Sequence, residues 1–129
     1  GDPDEPGAGA AGGTGYGLAT WGARIVPGAT EVSELSGLTA AAATADLVVT
    51  GEGRFDEQSL IGKVVGCALE LGRPTALVAG SVAAEFPGAA AIGIANLAGS
   101  VDAAIAEPAR WLREAGAALA RLADDADAR

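Results

Sequence analysis

The sequence predicts an α/β fold of three layers, with a mainly parallel sheet between flanking helices, built as a single unit over residues 1–129. Three observations predict it. The apolar runs Leu47–Thr50 and Thr75–Ala79 are short and bounded by glycine, proline or charged residues, and Ala90–Ala95, interrupted by Gly93, is a third. The first two are continuous rather than alternating, as in strands buried on both faces of a parallel sheet. Helix-like segments separate and flank them, and strands that alternate with helices pair in parallel through right-handed crossovers.

Each element has a local reason. Residues 1–6 are acidic, contain Pro3 and Pro6, and read as a flexible leading segment. Gly7–Gly17 is glycine-rich and leads into a helix ending near Gly22, then a short strand at Arg24–Val26. Pro27-Gly28 is a turn, and Ser36-Gly37 splits two short helices, Ala29–Leu35 and Leu38–Thr44. Leu47–Thr50 is a strand, Gly51–Asp56 a loop, and Glu57–Leu71 mainly helix, stopped by Gly72-Arg73-Pro74. Thr75–Ala79 is the second strand, followed by Gly80-Ser81. The link from Ala79 to the third strand at Ala90 has about ten residues, near the lower limit for a crossover that carries a helix. Ser100 can N-cap a helix over Val101–Ala106, and Pro108 fits the first turn of a last helix running to about Ala123. Ile105, Leu112, Leu119 and Leu122 share one face there, and Arg110 with Glu114 forms an i,i+4 pair on the polar side. Residues 124–129 read as a flexible tail.

Composition narrows the function. Apolar residues make up 50% and aromatics 4%, so the core is built mostly from Leu, Val, Ile and Ala. With no His there is no imidazole base and no His-ligated metal, and the single Cys67 excludes an intrachain disulfide or a zinc-type cysteine cluster. A reducing, cytoplasmic setting is compatible with that. The net charge of −9, with no offsetting basic patch, repels nucleic acid. The weakly polar stretch Pro74–Gly99 is broken by Glu85, Pro87 and several glycines and predicts no membrane span. Nothing at the amino terminus reads as a signal peptide.

Two stretches carry the candidate chemistry. Gly7, Gly9 and Gly12 fit G-x-G-x-x-G, but the acidic, proline-containing residues before them are no strand, so a dinucleotide fingerprint is rejected. The run serves close helix packing or a flexible loop; the sharper reading is that amides around Gly9, Gly12 and Gly13 attract a phosphate or carboxylate. The second stretch, Gly51–Lys63, stands beyond the carboxyl end of the first strand, where open parallel sheets bind ligands. Gly51 and Gly53 permit positive φ and close approach of a ligand. Arg54 presents a planar fork for carboxylate or phosphate, and Lys63 a point charge. Glu52, Asp56 and Glu57 can order Arg54, hold a divalent cation or take a proton, and Gln58 and Ser59 can hydrogen-bond at a helix start. The plain alternatives are that Asp56 is an N-cap, Glu52–Arg54 an exposed ion pair and Lys63 a solvated helix residue. Gly80 and Ser81 end the next strand and line the same crevice, Ser81 as a ligand contact or a cap. A Walker A loop is excluded, since Val64 follows Gly62-Lys63 and Glu57 stands where glycine is required.

Three segments together, PGAGAAGGTG (Pro6–Gly15), ADLVVTGEGRFDEQSLIGK (Ala45–Lys63) and ALVAGSV (Ala76–Val82), resemble the carboxyl-terminal third of bacterial type I glycerate kinases. Order and spacing agree from Pro6 to about Arg121. The resemblance implies part of a larger two-domain kinase that uses ATP and Mg²⁺ to phosphorylate a hydroxyl of D-glycerate. It implies Glu52, Arg54, Asp56 and Lys63 as catalytic, with Glu52 or Asp56 positioning the metal or the substrate hydroxyl. Gly51, Gly53, Arg54, Gln58, Ser59, Gly80 and Ser81 would be substrate-binding. The family's amino-terminal Ser-Phe-Lys-Gly and Ser-Ala-Thr-Asn-Asp segments are not in this sequence, Val64-Val65 replaces a small residue and proline, and the link after Ser81 is shortened. The expectation is a chain holding one wall of a cleft, whose partner is the missing amino-terminal region or another copy of itself, and whose activity alone is absent or very weak.

Overall fold

A computed structural model describes residues 1–61 and 63–127. The fold is α/β: a three-stranded parallel sheet in the order β1-β2-β3, flanked by helices. The elements are α1 (Ala10–Thr20), α2 (Gly28–Leu35), α3 (Leu38–Ala42), β1 (Val48–Phe55), a 3₁₀ turn (Glu57–Leu60), α4 (Val64–Glu70), β2 (Thr75–Val82), β3 (Ala90–Gly93), α5 (Ile94–Ala98), α6 (Val101–Ala106) and α7 (Pro108–Asp127). No helix among the described residues is long and apolar enough to cross a membrane.

The main correction concerns β1. The expected loop at Gly51–Asp56 is strand as far as Phe55, and β1 stays in parallel register with β2 from Val48↔Thr75 to Phe55↔Val82. Neither Gly51 nor Gly53 has positive φ. The glycines serve close approach instead: the space of a Cβ on Gly80 is taken by the Gly53 carbonyl oxygen of the neighbouring strand. What holds the extension is Phe55, which is fully buried with Val65, Leu77 and Ala79. Burying one such ring contributes roughly 1.5–3 kcal/mol.

The link from β1 to β2 is not one helix but the 3₁₀ turn and α4, and α4 packs on both strands. At the opposite end of the sheet, Val48 N–H donates to Pro74 O at 2.9 Å, and the Arg73 guanidinium donates to Ala45 O, 2.8 Å from Nε. These bonds tie the two strand entries together.

The link from β2 to β3 carries no helix. Ala90 pairs with Ala76, so the seven residues 83–89 must return along six residues of β2, about 20 Å. An extended strap reaches that far, whereas a helix rising about 1.5 Å per residue does not. The strap is pinned at both ends, by Ala83 N–H to Phe55 O at 2.8 Å and Ala89 N–H to Thr75 O at 2.7 Å.

Three further expectations differ. Residues 24–26 form no strand and have no pairing partner. The third strand stops at Gly93, and Ile94 and Ala95 begin α5, which ends at Gly99 in the left-handed conformation. Arg110 pairs with Glu107 at 2.9 Å rather than with Glu114, and its guanidinium lies over the Trp111 ring at 4.5 Å. Of the four residues expected on one apolar face, Leu119 is buried while Ile105, Leu112 and Leu122 are exposed. Ser100 does cap α6, accepting from Ala103 N–H at 3.1 Å, and Pro108 does open α7. That helix continues to Asp127; of the expected flexible tail, residues 128 and 129 lie outside the described residues. The surface carries several bare apolar side chains, Trp21 (89% exposed) and Leu35 (85%) foremost.

Candidate functional site

The site begins where β1 ends. Asp56 follows Phe55 and takes the N-cap position of the 3₁₀ turn: its carboxylate accepts from Gln58 N–H at 3.0 Å, while its own N–H donates to Ser59 Oγ at 3.2 Å. This reciprocal capping box follows from the D-x-x-S spacing. Ser59 is fully buried inside it. The Asp56 backbone and both polar side chains of the box are therefore committed to shaping the turn.

Arg54 stands just before that turn, and its side chain is mostly exposed. Its Nε is 3.8 Å from Asp56 Oδ2, with the two side chains 69% and 40% exposed. A pair that loose and wet contributes little to stability, so the guanidinium fork stays available to a ligand. Arg54, Asp56, Glu57 and Gln58 line a hollow of about 340 Å³ whose remaining wall is Ala83 and Ala84 of the strap. It lies beyond the carboxyl ends of β1 and β2, the position where open α/β sheets present ligand sites.

Glu52 and Lys63 belong to a different hollow. With Gly51 they line a space of about 640 Å³ against α2 and the start of α4, among Val32, Val64 and Val65. One Glu52 carboxylate oxygen, Oε1, is shut off from solvent and has no hydrogen-bond partner among the described residues. An unpaired buried acceptor costs free energy unless something donates to it. Lys63 is exposed at the N-cap position of α4 and makes no side-chain cap. Thus the structure brings Gly51, Glu52 and Lys63 together, and separately Arg54, Asp56 and Gln58.

The other candidates stand apart. Gly53 and Gly80 face each other across the β1–β2 ladder, and Ser81 lies in β2 opposite Arg54; none of the three lines either hollow. Gly9, Gly12 and Gly13 belong to the start of α1, where Ala11, Gly12 and Gly13 all have positive φ, and they too line neither hollow. Glycine takes that conformation without penalty; Ala11 does not. Among the described residues, no group of three or more His, Cys, Asp or Glu gathers as a ready metal cage.

Sequence reasoning missed two features. Thr50 is buried with its Oγ1 unpartnered among the described residues, beside a third hollow of about 580 Å³ between β1 and α7. The α2 wall of the Glu52 hollow was not foreseen either. A threonine in a strand carries no signal beyond β-propensity, and α2 reaches Glu52 only through the tertiary fold.

The sequence pattern of the glycerate kinase family matches residues 2–124. An uncharacterized protein of Mycobacterium bovis is 47% identical over 118 residues, covering 84% of this chain and 31% of that protein. Proteins named glycerate kinase from Halalkalibacterium halodurans and Neisseria meningitidis are 42% identical over 82 residues and 39% identical over 85 residues. Those two matches cover 60% and 63% of this chain and 22% and 23% of the respective relative. The chain spans about a third of the length of the mycobacterial relative, and the matched part is smaller still in the other two.

Proposed function

The chain belongs to the glycerate kinase family, and from that premise we propose that it supplies one wall of a site for ATP-dependent phosphorylation of D-glycerate. The observation that carries the proposal is the exposed Arg54 fork at the carboxyl end of β1, followed by a capping box whose Ser59 is fully buried. Phosphoryl transfer depends on positioning and charge stabilisation, which such a fork supplies to a carboxylate or a phosphoryl group. Lys63 offsets phosphate charge from the neighbouring hollow. The Gln58 side chain, in the same hollow as Arg54, orients the bound anion.

Between the two carboxylates, the geometry favours Glu52 for metal or hydroxyl. Asp56 already accepts from Gln58 N–H, whereas Glu52 holds an oxygen with no partner. A single such oxygen fits Mg²⁺, which is commonly held by one or two carboxylates together with substrate phosphates and water. Bound there, the ion would neutralise charge on the transferred phosphoryl group. Without it, Glu52 accepts the proton or hydrogen bond of the glycerate hydroxyl. A cytoplasmic setting suits an ATP-dependent reaction and the free thiol of Cys67.

Turnover by this chain alone is expected to be absent or very weak, because the match spans only about a third or less of the length of these relatives. The exposed apolar side chains suit a covering partner, either an amino-terminal region or a second copy. The test is an ATP- and D-glycerate-dependent assay on the chain alone and mixed with the amino-terminal part of a full-length relative. Turnover by the mixture only is the expected result. Robust turnover by the chain alone overturns the shared-cleft reading. A silent mixture, together with glycerate binding that ignores Arg54→Ala, sinks the kinase reading.

A further inference from the structure

The strap between β2 and β3 does more than close a short connection. Its Phe86 ring meets the Phe55 ring edge-on, centroids 5.4 Å apart and planes at 84°. Phe55 is the residue between Arg54 and Asp56, and it is fully buried while its neighbours are not. The strap's first residue, Ala83, donates to Phe55 O, and Ala83 and Ala84 form the far wall of the Arg54 hollow. Next to the ring, the space of a Cβ on Gly88 is filled by the Phe86 ring and by Thr75 O, so the strap backbone lies tight on both. Edge-to-face pairs of this kind have a preferred geometry and resist sliding. The carboxyl end of β1 is therefore gripped from one side by the 56–59 capping box and from the other by the strap.

We propose that Phe86 is a positioning residue: through Phe55 it fixes the backbone of Arg54 and Asp56 and so sets where the guanidinium fork points into the hollow. The inference rests on the reading of that hollow as an anion site, but its effect on residues 54–58 can be measured without any ligand.

The experiment compares Phe86→Leu and Phe86→Tyr with Leu69→Ala in the 129-residue chain. Leu69 packs on the same core from α4 and lines no part of the hollow, so it controls for general core loosening. Inorganic phosphate is titrated while the Arg54 Nε–H signal and the amides of 54–58 are followed by NMR; amide exchange of 54–58 is measured without ligand. The expected result is that F86L weakens phosphate binding severalfold and speeds exchange of 54–58. F86Y, which keeps the ring, restores both, and L69A changes neither beyond its effect on global stability. Equal effects of F86L and L69A, once matched for unfolding midpoint, overturn the proposal. If the unsubstituted chain ignores phosphate, the anion reading of the hollow fails, and the exchange comparison alone decides for or against Phe86. Should F86L not fold, Phe86→Met takes its place in the same comparison.

Discussion

Glu52 and Arg54 lie two residues apart on β1, about 6.6 Å along the strand, and they end in contrasting surroundings. Arg54 is exposed and stands in a small, polar hollow walled by a turn and a strap. Glu52 lines a larger hollow with an apolar wall, with one oxygen buried and unpartnered. The contrast teaches that a single motif can serve two kinds of surface. A guanidinium is useful where solvent and anions can reach it. A carboxylate oxygen shut off from water is a cost to the fold, and a ligand that donates to it or coordinates it offsets that cost. Arg54 therefore reads as nearly free of structural duty, and Glu52 as held at the fold's expense.

The sharpest way to break the comparison is Arg54→Ala. Turnover of the reconstituted mixture is expected to fall about 10²–10³-fold, the scale for losing one preorganised group that stabilises transition-state charge. The unfolding midpoint should hardly move, within ~0.5 kcal/mol, because the ion pair to Asp56 is exposed. A large stability loss with activity intact would reverse the roles assigned here. Glu52→Gln tests the other side: turnover and Mg²⁺-dependent nucleotide binding should drop at least tenfold, yet stability should hold or rise by up to ~1 kcal/mol, since a neutral amide is cheaper to bury than a carboxylate. Chemical denaturation beside a binding titration separates the two effects. A strongly destabilised E52Q would mean the oxygen is paired after all.

Asp56 lies between those extremes, in the turn rather than on the strand. Asp56→Ala removes the cap and should cost ~1 kcal/mol, within a range of 0.5–2 kcal/mol for lost N-caps. Ser59→Ala should cost a similar amount, and the double variant less than the sum, because the two residues form one box. Additive losses in urea denaturation would show that the box does not act as a unit.

Parts of this arrangement were readable from the sequence and parts were not, for physical reasons. Leu47–Thr50 announces a strand because the apolar run and the Val-Val pair leave little choice, but the expected burial on both faces is not met, since Val49 is 56% exposed. The continuation through Gly51–Phe55 is hidden, since two glycines and two charges have the composition of a loop. Only pairing with Thr75–Val82, and the burial of Phe55, make it a strand. The Asp56 cap and the Ser100 cap were readable because capping is local. The absence of a crossover helix was partly readable from the short link, but its extended form follows from the register of Ala90 on Ala76. The division of the motif into two hollows was not readable at all: α2 supplies one wall and the strap the other, and both arrive through tertiary folding.

The smallest effect concerns Thr50, two residues before Glu52 on the same strand, itself buried and, like Glu52, with an oxygen unpartnered among the described residues. If an orphaned acceptor always marked a ligand site, Thr50 would be one. Its hollow against α7 holds Leu47, Val49, Leu112 and Leu119, and no charged side chain lines it. Thr50→Val keeps the branched shape and removes the hydroxyl, so stability should stay level or rise by up to ~1 kcal/mol, as when a buried polar group without a partner is replaced by an apolar one of the same shape. Glycerate binding and turnover should not change. A loss of more than ~1 kcal/mol would show that the hydroxyl has a partner, such as an ordered water in the hollow. A loss of turnover with stability intact would move the functional boundary of β1 back from Glu52 to Thr50 and merge the two hollows into one site.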